Sequence, residues 1–213
     1  MPEEVQLTTS DEVNISGTYQ PSTKANKPAV LLLHQLRKDR TIWNNIIGKL
    51  SDSGYSSFAI DFRGHGQSGG GEWANFTTFQ FQQMKNDVAA AGKFLRDKLP
   101  TANIAVIGSS IGANLGFNYA AKSNISSVAL LSPGLDYKGV TTQESASGFH
   151  KPLFMAASSD DTNPSVESIK RISELVITSP SDIKIVTYTE GGHGVAMFEK
   201  HPDLQDQILQ WLR

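Results

Sequence analysis

The stretch Ile104-Ala105-Val106-Ile107-Gly108-Ser109-Ser110-Ile111-Gly112, followed by Ala113 to Ala121, sets three signals in a row. Ile104 to Ile107 is an apolar run of strand length, Gly108 to Gly112 matches G-x-S-x-G, and Ala113 to Ala121, with Leu115 and Tyr119 four apart, reads as a helix. The order matters because this motif demands a strand before it and a helix after it. It then forces a tight turn whose strained central residue holds its hydroxyl clear of the backbone, and small neighbours permit that turn. The centre is Ser110, and Ser109 reads as a neighbour without catalytic duty.

The same alternation extends outward. Pro28 to Leu33, Ser57 to Ile60, Val128 to Leu131, Leu153 to Ala156 and Ile183 to Val186 are further short apolar runs, as parallel strands covered on both faces require. Between them lie apolar residues at helical spacing: Ile42, Ile46 and Leu50; Phe81, Met84, Val88, Ala91 and Leu95; Val166, Ile169, Ile172 and Val176; and finally Ile208, Trp211 and Leu212. Trp43 falls in register with Ile46, Ile47 and Leu50 and reads as core. Val5 to Thr9 and Val13 to Tyr19 alternate apolar and polar residues around Ser10-Asp11, the pattern of a hairpin with one solvated face. Repeated β-α units imply a doubly wound, mostly parallel sheet with helices on both faces and ligands at the carboxyl ends of its strands. No repeat or linker divides the 213 residues, so 1–213 is expected to be one α/β domain.

Composition removes several functional classes. A net charge of −2 and no basic run longer than Arg37-Lys38 leave nothing to neutralise a row of phosphates, so nucleic acid is not an expected partner. The longest aliphatic run, Ala29 to Leu33, is far short of a membrane span, and the Met1-Pro2-Glu3-Glu4 start lacks the layout of a signal peptide. A soluble, cytoplasmic chain is expected, unless a leader has been removed from it. Without cysteine there is no disulfide, no thiolate nucleophile and no cysteine metal site, and no cofactor is implied.

A second glycine motif, Gly64-His65-Gly66-Gln67-Ser68-Gly69, matches G-x-G-x-x-G after a strand. A dinucleotide site needs the third glycine inside a helix whose N-terminus faces the pyrophosphate. Here Gly70 and Gly71 follow, and helical spacing resumes only near Phe76. The motif therefore reads as a loop turning sharply after a strand.

If Ser110 is a nucleophile, an acid and then a base should follow it in the chain. Of the 5 histidines only His193 and His201 lie after every candidate acid. His201 precedes Pro202 and flanks the final helix, whereas His193 sits between Gly192 and Gly194 in the loop after the last strand, where a general base is needed. The acid should end the preceding strand, and Ser158-Ser159-Asp160-Asp161 offers two adjacent carboxylates, of which only one can hold the imidazole.

These residues resemble the α/β-hydrolase superfamily, and within it the small dienelactone-hydrolase-like serine esterases. The matching pieces are Leu32-Leu33-His34-Gln35-Leu36, Asp61 to Ser68, Gly108 to Asn114, Leu131-Ser132-Pro133-Gly134-Leu135-Asp136-Tyr137, Ser159-Asp160-Asp161 and Gly191-Gly192-His193-Gly194, spread over almost the whole chain. The resemblance implies an eight-stranded sheet, a triad of Ser110, Asp161 and His193, and an oxyanion hole from the N–H groups of Leu36 and Ile111. It implies a carboxylesterase acting on a small-molecule ester through an acyl-enzyme. An acyltransferase or perhydrolase would use the same triad, and a binding protein would keep the fold without catalysis. Two positions depart from the pattern: Gln35 stands where many relatives carry glycine, which would tighten or partly fill the hole, and Ser110 where dienelactone hydrolases carry cysteine.

The other features are read as structural. Arg37-Lys38-Asp39-Arg40 is expected to be a solvated face, His34 and His65 to stabilise loops, and Phe149 and His150 to edge the pocket. The segment 133–151, with Pro133, Gly134, Gly139 and Gly148, is too short for a cap domain and allows only a short helix and turns. Oligomeric state is not legible.

Overall fold

A computed structural model of the chain describes residues 1–22 and 28–212. The hairpin expected at the start is β1 (Glu3–Thr8) paired antiparallel with β2 (Asn14–Gln20). The apolar runs become β3 (Ala29–Leu33), β4 (Ser56–Ile60), β5 (Ile104–Ser109) and β6 (Ser127–Leu131). The helical spacings become α1 (Asn44–Asp52), α2 (Thr78–Lys98) and α3 (Ile111–Lys122). After β6 comes a hairpin of two short strands, β7 (Asp136–Tyr137) and β8 (Val140–Thr141), then a single-turn helix α4 (Gln143–Ala146). The chain ends with β9 (Leu153–Ser158), α5 (Ser165–Leu175), β10 (Ile183–Tyr188), α6 (Met197–Lys200) and α7 (Asp203–Trp211).

Eight of these strands form one sheet in the order β1-β2-β4-β3-β5-β6-β9-β10, antiparallel at β1 and β2 and parallel from β4 onward. Alternation inside the all-apolar strands divides them between two cores. Leu31, Leu33, Val106, Val128, Leu130 and Met155 pack on one face with Met84, Val88 and Leu95 of α2, Phe117 of α3 and Ile169 and Ile172 of α5. Val30, Leu32, Ala105, Ile107, Leu131 and Phe154 pack on the other with Trp43, Ile46, Leu50, Leu204 and Ile208. Trp43 is fully buried, as its register implies. From β3 the chain winds to β4 on one side and later to β5 on the other. The carboxyl ends of β3 and β5 therefore flank the topological switch point, where ligands of such sheets bind.

Several loop expectations are corrected. Arg37 and Lys38 are exposed, but Asp39 caps a 3₁₀ turn by accepting from the Thr41 N–H, and Arg40 is buried, its backbone N–H donating to Asp61 Oδ1 (2.8 Å) and its guanidinium paired with the same carboxylate. The charge run is thus half solvated and half a buried tie. Phe149 does not edge a pocket: it is fully buried and stacks on Phe117 with centroids 4.5 Å apart, while His150 is exposed. In the G-x-G-x-x-G loop, Gly64 and Gly66 have φ of 74° and 52°, and a Cβ on Gly66 would overlap the Asp61 carboxylate. The motif wraps Asp61, and α2 begins only at Thr78. No helix among the described residues is long and apolar enough to cross a membrane.

Arg63 anchors this loop from inside. Its Nε donates to Asp87 Oδ1 (2.8 Å), its backbone N–H to Asp87 Oδ2 (2.9 Å), and its Nη1 to Asp11 Oδ2 in the β1–β2 turn (2.7 Å). The Asp87 side chain is fully buried. Removing Asp87 leaves the buried Arg63 guanidinium with only the partly exposed Asp11 and strands the Arg63 backbone N–H, so Asp87→Ala should lower the unfolding free energy by about 3 kcal/mol. Urea unfolding is the check, and a loss under about 1 kcal/mol, the size of a surface pair, would contradict it.

Candidate active site

Ser110 joins β5 to α3 with φ 56° and ψ −123°, a conformation costly for a residue with a Cβ and held by its surroundings. Its N–H donates to Leu131 O (2.9 Å), and its carbonyl accepts from Ala113 (2.9 Å) and Asn114 (3.1 Å). A Cβ on Gly108 would overlap the backbone of Gly112 and Ala113, and one on Gly112 would overlap the carbonyls of Leu33 and His34. The G-x-S-x-G spacing is therefore a packing requirement, and it brings the first turn of α3 against the end of β3. Ile111 opens that turn and carries one of the N–H groups a helix leaves without an internal partner. Leu36 lies in the loop that closes β3, whose path is held by His34. The His34 ring accepts from the Phe62 N–H through Nε2 (2.9 Å) and donates from Nδ1 to Gln35 O (2.8 Å). Burial pushes its pKa down to about 3, so it is a neutral brace. His65, with Nδ1 3.0 Å from Arg63 O and its ring stacked on Trp73, braces the β4 loop in the same way.

The two adjacent carboxylates point apart. Asp160 accepts from the N–H groups of Gly191 (3.0 Å) and Gly192 (2.8 Å) and from the Ser158 hydroxyl, so it fastens the loop that leads to His193. The Asp161 side chain is buried and its Oδ2 lies 2.7 Å from His193 Nδ1. Burial pushes the Asp161 pKa up, but hydrogen bonds from His193, the Ser165 hydroxyl and the Asn163 N–H outweigh it and hold the carboxyl well below the usual range. An ionised Asp161 can only accept, so Nδ1 carries the proton and Nε2 is left as the basic nitrogen.

The structure thus pairs Asp161 with His193 at the ends of β9 and β10 and sets Ser110 at the end of β5. Among the described residues no hydrogen bond joins Ser110 to His193. A tyrosine that the sequence reading assigned no role has contacts with both. The Tyr137 ring meets His193 edge-on with centroids 6.1 Å apart, its hydroxyl donates to Ser132 O (3.1 Å), and it also faces the side chains of Ser110 and Ser165. Burial raises the Tyr137 pKa to about 12, which keeps it a neutral donor. Only its place in the Leu131 to Tyr137 stretch marked it in the sequence. His201 flanks α7 as expected, its Nε2 2.6 Å from Glu190 O and its ring stacked on Tyr188. Among the described residues no three His, Asp or Glu side chains gather as a metal site.

Two hollows of about 330 Å³ open on the surface, one between α2, α3 and the β7–β8 hairpin, the other beside Asp161, Asn163 and Pro164; neither is lined by Ser110 or His193. Between Ser132 and Pro152 the chain builds only the β7–β8 hairpin and α4, a small strand pair where turns were expected, and nothing of cap size.

Comparison with known proteins agrees with this fold. A family profile described as alpha/beta hydrolase fold matches residues 28–166. No curated protein matches the chain. Among solved structures it is similar to an esterase of Pyrococcus furiosus (TM-score 0.82, 22% identity, covering 100% of this chain and 92% of that one). It is also similar to an esterase of Exiguobacterium antarcticum (TM-score 0.78, 13% identity, 99% of each chain). A third is the enol-lactonase of Burkholderia xenovorans (TM-score 0.77, 15% identity, 98% and 99%).

Proposed function

The chain belongs to the alpha/beta hydrolase fold family, and from that premise we propose that it is a serine hydrolase that cleaves short-chain carboxylic esters through an acyl-enzyme. The observation that carries this reading is the 2.7 Å contact between Asp161 and His193, together with the strained strand-to-helix turn that holds Ser110 at φ 56°. The esterase names of the structural neighbours point the same way.

In this mechanism Ser110 Oγ attacks the ester carbonyl while His193 Nε2 takes its proton. Asp161 holds the imidazole in the right tautomer and stabilises the imidazolium as it forms. The N–H groups of Leu36 and Ile111 receive the oxyanion, His193 returns the proton to the leaving alcohol, and water then releases the acid by the same steps. The groups act from the ends of four strands, Leu36 after β3, Ser110 and Ile111 after β5, Asp161 after β9 and His193 after β10, so the sheet supplies the alignment.

Substrate size follows from the short β6–β9 connection. With a hairpin and one helical turn in place of a cap, little acyl chain is buried, and each buried methylene contributes only ~0.8 kcal/mol. Selectivity then rests on contacts near the carbonyl. Across p-nitrophenyl esters, kcat/KM should be highest from acetate to butyrate, low for palmitate, and without a jump above the micelle threshold. A steady rise towards palmitate would contradict the open-site reading.

A further inference from the structure

Immediately after His193 the chain enters a single 3₁₀ turn, Gly194–Ala196, with His193 in extended conformation before it. The first N–H groups of such a turn have no partner inside it and need an acceptor from elsewhere. The His193 side chain supplies none. Two other strand ends do: Ser132 Oγ accepts from Gly194 N–H (2.9 Å) and Gln35 Oε1 from Val195 N–H (3.2 Å).

The Gln35 oxygen has a second partner. Ser109, fully buried and next to Ser110, donates its hydroxyl to Gln35 Oε1 at 2.8 Å. The assignment is unambiguous, because a backbone N–H only donates and so the atom facing Val195 is the amide oxygen. The crowding agrees: Gly194 sits at φ 62°, and a Cβ there would overlap both Ser109 Oγ and Gln35 Oε1. One side-chain oxygen therefore ties the β3 loop to the residue before Ser110 and to the second residue after His193. Gln35 thus bridges two loops, and Ser109 is one of its anchors.

We propose that Gln35 is a positioning residue that sets the distance between Ser110 and His193 through its bonds to Ser109 and Val195. The inference rests on the serine-hydrolase reading. Its physical basis is that two reacting groups on separate loops need a fixed spacing, and a misplacement of about 1 Å can cost on the order of 10²-fold in rate. Loss of the acceptor also strands a buried hydroxyl and a backbone N–H, which then seek other partners and pull the loops apart.

The test compares Gln35→Met, which keeps length without an acceptor, Gln35→Glu, which keeps an acceptor, Ser109→Ala and the Gln35→Met/Ser109→Ala pair. The measurements are kcat, KM and the rate of fluorophosphonate labelling of Ser110. Gln35→Met should lower kcat and labelling rate by roughly 10–100-fold, with KM within about threefold. Gln35→Glu should recover most of that loss. Ser109→Ala, which cuts the same bond from its other end, should lower kcat by roughly 3–10-fold, and the pair should lose less than the product of the singles. Labelling and turnover by Gln35→Met at the wild-type rate, loss confined to KM, or strict multiplicativity would overturn the proposal while leaving the hydrolase reading intact. A wild-type protein that is not labelled at all would overturn that reading and this inference with it.

Discussion

Ser110→Ala is expected to lower kcat/KM for p-nitrophenyl acetate by roughly 10⁴–10⁶-fold, because without a nucleophile only the oxyanion donors and the bound geometry remain to speed attack by water. The substitution isolates the chemistry. Alanine keeps the Cβ, so the strain at φ 56° is unchanged, and none of the backbone bonds to Leu131, Ala113 and Asn114 involves the hydroxyl. Thermal unfolding should therefore move little, and a variant that unfolds normally yet hydrolyses within tenfold of the parent would show that another group attacks the ester.

The second large effect separates two neighbouring carboxylates. Asp161→Asn preserves shape but replaces an acceptor-only group with an amide, which no longer enforces the Nδ1–H tautomer or balances the imidazolium. A fall in kcat of about 10⁴-fold is expected. Asp160→Asn touches the loop instead, since Asp160 accepts from Gly191, Gly192 and Ser158. Its kcat should stay within about tenfold, the change taking the form of a looser His193 loop. A larger loss at Asp160 than at Asp161 would reverse the assignment.

What was legible in the sequence follows from range and periodicity. Strands buried on both faces announce themselves as continuous apolar runs, and β3 to β6 and β9 were read that way within a residue or two. The Ser110 turn was legible because a sterically demanding motif leaves small residues at fixed spacing. Asp160 and Asp161 were not separable from the residues alone, because a turn in which the Asp161 N–H bonds back to Ser158 O sends adjacent side chains in different directions. Arg40 was misread, and the contacts of Gln35 and Tyr137 went unread, for a different reason. The partners of Gln35 are Ser109 and Val195, those of Tyr137 are Ser110, Ser132, Ser165 and His193, and those of Arg40 include Asp61 and Glu4. Most of these contacts join different elements, so they leave no periodic trace. Phe149 failed likewise: a single aromatic in a connecting segment carries no sign of which way it turns.

The central claim is that Ser110 forms the covalent intermediate. Treating the full chain with a fluorophosphonate and mapping the adduct by peptide mass spectrometry tests it most directly. One adduct on the peptide containing Ser110, absent from Ser110→Ala and formed in parallel with loss of esterase activity, is the predicted result. An adduct on another serine that tracks the loss of activity, or full activity after Ser110 is modified, would contradict the account.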